Sequence, residues 1–258
     1  MNELENLLES VKGIVLDTAD KITDITEDSD LKSYKFDSLL NSEVKALADT
    51  FIDEYLLSRL SKFGLPILTE ESGVQEDSVN SEFLFIVDPL DGTYNYVRNF
   101  GSCAISVALF ENETPIFGVI YDLRERMLFW GGKKFGAYSD RDNIEVSESK
   151  VLGESLICSG FPVRYNTERI FGDNLLQVLN SFGKVRMIGS AALSVSNVAR
   201  GAADAYFEKN IMLWDIAAGI ALLEGAGGRY SLIPQEDDYS YDVLATNQKL
   251  FKQLQRII

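Results

Sequence analysis

Apolar residues recur at helical spacing through residues 2 to 27, behind an acidic start, and predict a long amphipathic helix. A charged loop through Lys35 follows. A second amphipathic helix is predicted over roughly residues 40 to 62, with Val44, Leu47, Phe51 and Tyr55 on its apolar stripe. The pattern then changes to short apolar runs between turn formers. These predict strands near 65–68, 83–87, 102–110, 115–121 and 127–130, with Glu111-Asn112-Glu113-Thr114 as a hairpin turn. The polar stretch Ser139 to Lys150 reads as the boundary between two lobes. Beyond it, strand Leu156–Cys158, helix Thr167–Leu179, strand Lys184–Met187, helix Ala191–Ala199, strand Ala203–Phe207, helix Trp214–Gly225, strand Val243–Ala245 and a closing helix alternate in α/β fashion. No repeat, low-complexity tract or linker interrupts the order.

Composition narrows the function. A chain of 258 residues with 46% apolar content can bury a large core. Its 24 basic and 40 acidic residues give a formal charge of −16, which repels nucleic-acid backbones and anionic membranes, so neither is an expected partner. The same field repels a phosphate ester unless bound cations invert the sign locally. The start of the chain lacks the basic region and apolar core of a signal peptide, and Cys103 and Cys158 read as buried thiols of a reducing compartment. A cytoplasmic protein is expected. With no histidine, the chain has no Ser-His-Asp triad, no His-based zinc site and no imidazole base. Cysteine phosphatase chemistry needs an arginine soon after the thiol, which excludes Cys103. Carboxylates, hydroxyls and metal-bound water are the expected reactive groups.

The densest chemistry lies where Phe83-Leu84-Phe85-Ile86-Val87 runs into Asp88-Pro89-Leu90-Asp91-Gly92-Thr93. Two carboxylates three residues apart repel unless a cation lies between them, and a hard divalent ion such as Mg2+ takes oxygen ligands. Gly92 permits close backbone approach, and Thr93 adds a hydroxyl. An Asx-Pro turn is the plainer reading of the same residues. Glu70 and Glu71 close another probable strand, or form a solvated pair; Asp215 opens a helix, or simply caps it. Together they resemble ligands drawn from three separate elements.

Five segments in order carry a resemblance to a known family. They are Thr69-Glu70-Glu71-Ser72, Asp88 to Tyr96, Gly189-Ser190-Ala191-Ala192, Asp204-Ala205-Tyr206-Phe207-Glu208 and Trp214-Asp215-Ile216-Ala217-Ala218-Gly219. This order resembles the inositol monophosphatase family of Mg2+-dependent, lithium-sensitive phosphatases over nearly the whole chain. The D-P-L-D-G-T and W-D-x-A-A-G elements, about 125 residues apart, are specific in combination.

The resemblance implies an α/β (α+β) fold, a layered α-β-α-β-α sandwich of two lobes like other sugar phosphatases. Residues 1–145 would carry most metal ligands, and 146–258 the substrate contacts and the last ligand. The implied enzyme is a phosphoric monoester hydrolase that attacks an inositol or sugar phosphate with metal-activated water, using two or more Mg2+ ions for which Mn2+ can substitute. Glu70, Asp88 and the Leu90 carbonyl would hold one ion, and Asp88, Asp91 and Asp215 a second. Glu70, Thr93 and Asp91 form the implied catalytic set. Gly92, Thr93, Gly189, Ser190, Ala191, Glu208 and Asp215 would line the substrate, although Ser190 also suits a helix N-cap. A homodimer is the implied assembly.

Two departures from the family pattern refine this. Family members carry T-x-x-D-x-x-x-E near the second helix; placing its Glu at Glu43 puts Leu39 at the Asp position, which argues against a third metal site and predicts little inhibition by excess Mg2+. Tyr94, Asn95 and Leu213 replace residues typical of the nucleotide-directed branch, which disfavours 3'(2'),5'-bisphosphate nucleotidase activity. Fructose-1,6-bisphosphatase activity and a weakly active, regulatory family member are the other readings. A haloacid-dehalogenase-type phosphatase needs D-x-D, and this chain has D-x-x-D.

Overall fold

The structure, a computed structural model, describes residues 3–25, 34–36, 44–75, 81–161 and 175–255. Helix α1 (Glu3–Ile25) precedes strands β1 (Tyr34–Phe36) and β2 (Val44–Ala46), helix α2 (Leu47–Leu60) and strands β3 (Ile67–Thr69), β4 (Gly73–Gln75) and β5 (Phe83–Asp91). The short helix α3 (Thr93–Arg98) leads to β6 (Ala104–Glu111), β7 (Thr114–Asp122), β8 (Met127–Gly132) and β9 (Gly136–Ser139). Then come β10 (Leu156–Cys158), α4 (Leu175–Asn180), β11 (Lys184–Arg186), α5 (Ala191–Ala199) and β12 (Ala205–Met212). Helix α6 (Leu213–Gly225), strands β13 (Arg229–Pro234) and β14 (Ser240–Thr246) and helix α7 (Gln248–Leu254) complete the order.

A seven-stranded sheet, β4-β3-β5-β6-β7-β8-β9, is antiparallel except where β3 runs parallel to β5. A five-stranded mixed sheet has the order β11-β10-β12-β14-β13. Helices α1 and α2 cover the outer face of the first sheet, α5 and α6 fill the space between the sheets, and α4 and α7 close the outer face of the second. This is the expected α-β-α-β-α layering. The largest apolar cluster takes side chains from both sheets, including Ile86, Ala108, Val243 and Ala245.

Helix α6 occupies the centre because it is apolar all round: every residue from Ile216 to Leu223 is buried. It lies directly on β7, where a Cβ on Gly118 would sit 2.1 Å from the Ala218 carbonyl oxygen. Gly118→Ala therefore forces backbone apart between two buried layers. It is expected to cost about 3 kcal/mol and about 5–10 °C of melting temperature, read by thermal unfolding.

Five elements differ from the sequence expectation. Helix α2 begins at Leu47 and Val44 lies in β2; the buried face is Ala48, Asp49, Ile52, Asp53, Leu56 and Leu60, while Leu47 is 54% exposed. Two inward-facing acids disguise the true stripe, and Phe51 and Tyr55 stack half-buried beside it. Strand β5 continues through Asp91 instead of ending at Val87. The edge strands β4 and β9, together with β13, are short or weakly apolar and gave no run to read. Of the helix expected over 167–179, residues 167–174 lie outside the described residues. Among the described residues no helix is long and apolar enough to cross a membrane.

Candidate active site

Successive residues of a strand face opposite sides, so Asp88 and Asp91 in a regular β5 would point apart. Asp88 pairs with Ser106 and Asp91 with Ala104, so one extra residue is bulged between them. Pro89 has no N–H to give to the ladder, and it lies within the bulged stretch between Asp88 and Asp91. Gly92 follows in the left-handed region (φ 84°), where a Cβ would meet the Ser102 and Gly189 carbonyl oxygens at 2.7 and 2.9 Å. Only glycine fits there.

Strand β3 runs parallel to β5 with Thr69 opposite Val87, so Glu70 emerges beside Asp88. Asp215 is the third residue of α6, not its N-cap as the plainer reading had it, and accepts from the Met212 N–H at 3.3 Å. Glu70, Asp88 and Asp215 each place a carboxylate oxygen within 4.8 Å of the others. Asp88 is fully buried: Oδ1 accepts from Leu90 N–H at 3.0 Å, and among the described residues no donor reaches Oδ2. Burial first, then the neighbouring charges of Glu70, Asp91 and Asp215, push the Asp88 carboxyl well above its usual range. Burial, Asp91 and Glu208 raise Asp215 in the same direction, against the opposing effect of Asp88 within hydrogen-bond reach. A proton shared between two acids or a cation can satisfy the orphaned oxygen. A hard divalent cation fits this oxygen-only donor set.

The charge of Asp91 bears on both Asp88 and Asp215, while its oxygens are engaged by α5. Its Oδ2 accepts from the Ser190 hydroxyl and from Ala192 N–H at 2.8 Å, and Oδ1 from Ala191 N–H at 3.2 Å. The first turn of α5 thus closes on Asp91, while Ser190 also caps α5 by accepting from Leu193 N–H. Burial raises the Asp91 carboxyl to about 6 against these hydrogen bonds.

Thr93 opens α3, and its hydroxyl donates to Asp49 Oδ1 at 2.7 Å, with the Leu90 carbonyl oxygen 3.1 Å away. Asp49 Oδ2 accepts from Ala46 N–H at 2.7 Å. Burial raises the Asp49 carboxyl to about 6, opposed by the hydrogen bonds from Thr93 and Ala46. Asp49 was not among the candidates read from sequence. Leu39 and Glu43 lie outside the described residues, but the four-residue spacing of the family pattern recurs at Asp49 and Asp53, with Ala46 and Asp53 standing where the pattern has Thr and Glu. The Ser72 hydroxyl beside Glu70 and Glu71 donates to Asp53. This register weakens the argument from Leu39 against a third metal site.

Glu208 lies on β12 just before a register shift, buried, with the Tyr206 hydroxyl donating to Oε2 at 2.6 Å. Burial raises its carboxyl to about 7, Tyr206 opposing and Asp91 adding to the rise. A Cβ on Gly160 would sit 2.2 Å from Glu208 Oε2, so a glycine with nothing to mark it in the sequence leaves room for the acid. Asp91 bonds Ser190, and its charge bears on Asp88, Asp215 and Glu208, which joins these acids and Glu70 in one electrostatic group. Cys103, Cys158 and Trp214 belong to the core, and both thiols are free.

A layered α/β fold with three carboxylates clustered at the end of β5 and the start of α6 suits the class of metal-dependent phosphatases. The profile of the inositol monophosphatase family matches residues 7–257, and the chain belongs to that family of phosphoric monoester hydrolases. The inositol-1-monophosphatase of Caulobacter vibrioides is 30% identical over 256 residues, covering 96% of this chain and 97% of that protein. The Nus factor SuhB of Xylella fastidiosa is 35% identical over 229 residues, covering 84% and 80% respectively. The solved inositol monophosphatase of Anabaena (Nostoc) sp. PCC 7120 superposes with a TM-score of 0.81 at 30% identity, covering 99% of this chain and 96% of that one.

Proposed function

We propose that this protein is a cytoplasmic, Mg2+-dependent phosphomonoesterase acting on an inositol or sugar phosphate. The observation that carries the reading is the convergence of Glu70, Asp88 and Asp215, whose carboxylate oxygens lie within 4.8 Å of one another although Asp88 is fully buried. Glu70, Asp88, the Leu90 carbonyl, Asp91 and Asp215 would hold the ions. Bound Mg2+ supplies charge neutralisation at the phosphoryl oxygens and a lowered pKa for the attacking water. Thr93, whose proton is directed to Asp49, keeps its lone pairs free to accept a hydrogen bond from that water, and Glu70 takes the proton with it. The backbone of Gly92 and Thr93 faces the phosphate, and Asp215 orients the water that protonates the leaving oxygen. Gly189, Ser190, Ala191 and Glu208 line the alcohol. The division at residues 145 and 146 is one of function, with ions held mainly by the first lobe and the alcohol by the second, over a shared core. The free buried thiols support a reducing compartment, and the family resemblance supports a homodimer.

Phosphate release from inositol, sugar and nucleotide monophosphates, with Mg2+, with Mn2+ and after exhaustive chelation, tests the reading. Turnover is expected with either ion on polyol phosphates, and inhibition by Li+, which competes for the loosely held second ion. Undiminished release after chelation would overturn it. The name of the Xylella relative favours one further reading, a Nus-factor role beside weak catalysis, which requires turnover to be negligible on the whole panel.

The Thr93–Asp49 pair makes its own prediction. Thr93→Ala and Asp49→Asn are each expected to lower kcat about a hundredfold or more with KM little changed, since water orientation is used only in the transition state. Steady-state kinetics at saturating Mg2+ measures this, and a pure KM effect would remove the pair from the catalytic role.

A further inference from the structure

The substrate-lining turn before α5 belongs to the second half of the chain, whereas the phosphate and metal residues belong to the first. Two attachments join them. One is Asp91, which holds the α5 end of the turn through Ser190, Ala191 and Ala192. The other is Asn95, a buried side chain on α3 whose Nδ2 donates to three carbonyl oxygens: Ile188 at 2.7 Å, Ser102 at 2.8 Å and Gly189 at 3.2 Å. A single amide therefore binds the loop after its own helix and a segment more than ninety residues away. The packing is close on both sides. A Cβ on Gly189, itself at φ 73°, would lie 2.8 Å from Asn95 Nδ2. A Cβ on Gly92 would press on the Ser102 and Gly189 carbonyl oxygens that Asn95 gathers.

We propose that Asn95 is a positioning residue that sets the Ile188–Gly189 end of the turn for the alcohol half of the substrate, an assignment that rests on the phosphomonoesterase reading above. Without the amide, the Ile188 and Gly189 carbonyl oxygens of the second lobe lose this donor and the turn moves away from α3. The Asp91 attachment persists, because none of its bonds involves Asn95. Contacts to the ring hydroxyls weaken while the phosphate and metal contacts stay.

The test compares wild type, Asn95→Ala and Asn95→Asp, all loaded with Mg2+, on inositol 1-phosphate and on p-nitrophenyl phosphate, whose aryl group offers no ring hydroxyls. Asn95→Ala is expected to raise KM about tenfold on the inositol ester and to leave kcat/KM on the aryl ester within about twofold. Asn95→Asp, which keeps the side chain's size but removes the N–H donor, should show the same split. Amide hydrogen exchange over residues 188–193 should quicken about tenfold in both variants while α6 stays protected. Equal losses on the two substrates, unchanged exchange in the turn, or failure of both variants to fold would each overturn the assignment. Should wild type turn over neither ester, the phosphomonoesterase reading fails, and the exchange measurement alone decides whether the clamp exists.

Discussion

Asp88→Asn is expected to lower kcat about a thousandfold, some 4 kcal/mol of transition-state stabilisation, while the metal-free protein melts at a higher temperature than wild type. The substitution keeps the shape of a fully buried side chain and its place opposite Ser106. It removes one charge from a group whose burial and neighbours Glu70, Asp91 and Asp215 all disfavour ionisation. It also offers an N–H₂ donor to Asp215, where wild type sets one carboxyl against another. Relief of like-charge repulsion stabilises the empty site, and loss of a ligand charge weakens the cation that neutralises phosphate. Parallel measurements of kcat and of melting temperature with and without Mg2+ separate these effects. An inactive variant that melts lower in the metal-free state would show that Asp88 is a structural turn residue first.

The metal-free protein is expected to lose stability as pH rises from 5 to 8 and to regain it on addition of Mg2+. Asp49 is raised from 3.8 to about 6 and Glu208 from 4.5 to about 7, each chiefly by burial. Asp88 and Asp215 shift in the same direction. Because these acids bind protons more tightly when folded, the folded state holds more protons than the unfolded chain across that window, and stability falls as pH climbs through it. Shifts of this size amount to on the order of 3 kcal/mol per acid before coupling between them is counted. The formal charge of −16 adds a repulsion of the same sign. Thermal unfolding at pH 5 and pH 8 should show a drop of at least several degrees without metal, and Mg2+ should stabilise more at pH 8, where it no longer competes with protons. The double substitution Asp49→Asn, Glu208→Gln should flatten the metal-free profile. A flat or rising wild-type profile would mean that the cleft acids are not held protonated.

What was legible in the sequence follows from local physical rules. The apolar run ending in Asp88-Pro89-Leu90-Asp91-Gly92, the all-apolar α6 and the alternation of strand and helix after residue 156 each depend on periodicity and turn chemistry within a few residues. The absence of histidine removed imidazole from the possible ligands and bases. Tertiary structure decided the rest, because the deciding contacts join distant residues: Thr93 to Asp49 across 44 positions and Ser190 to Asp91 across 99. Asp49 and Asp53 sit on the buried face of α2, which an apolar-stripe reading turns outward because acids there resemble a solvated edge. The bulge between Asp88 and Asp91 re-aims one of two carboxylates that strand geometry alone would separate. Asn95 and Gly160 carry no local signal, since their importance lies in the carbonyl oxygens and the carboxylate that the fold brings against them. Local chemistry named the atoms available for the reaction, and only the packing of two sheets around α6 determined which of them meet.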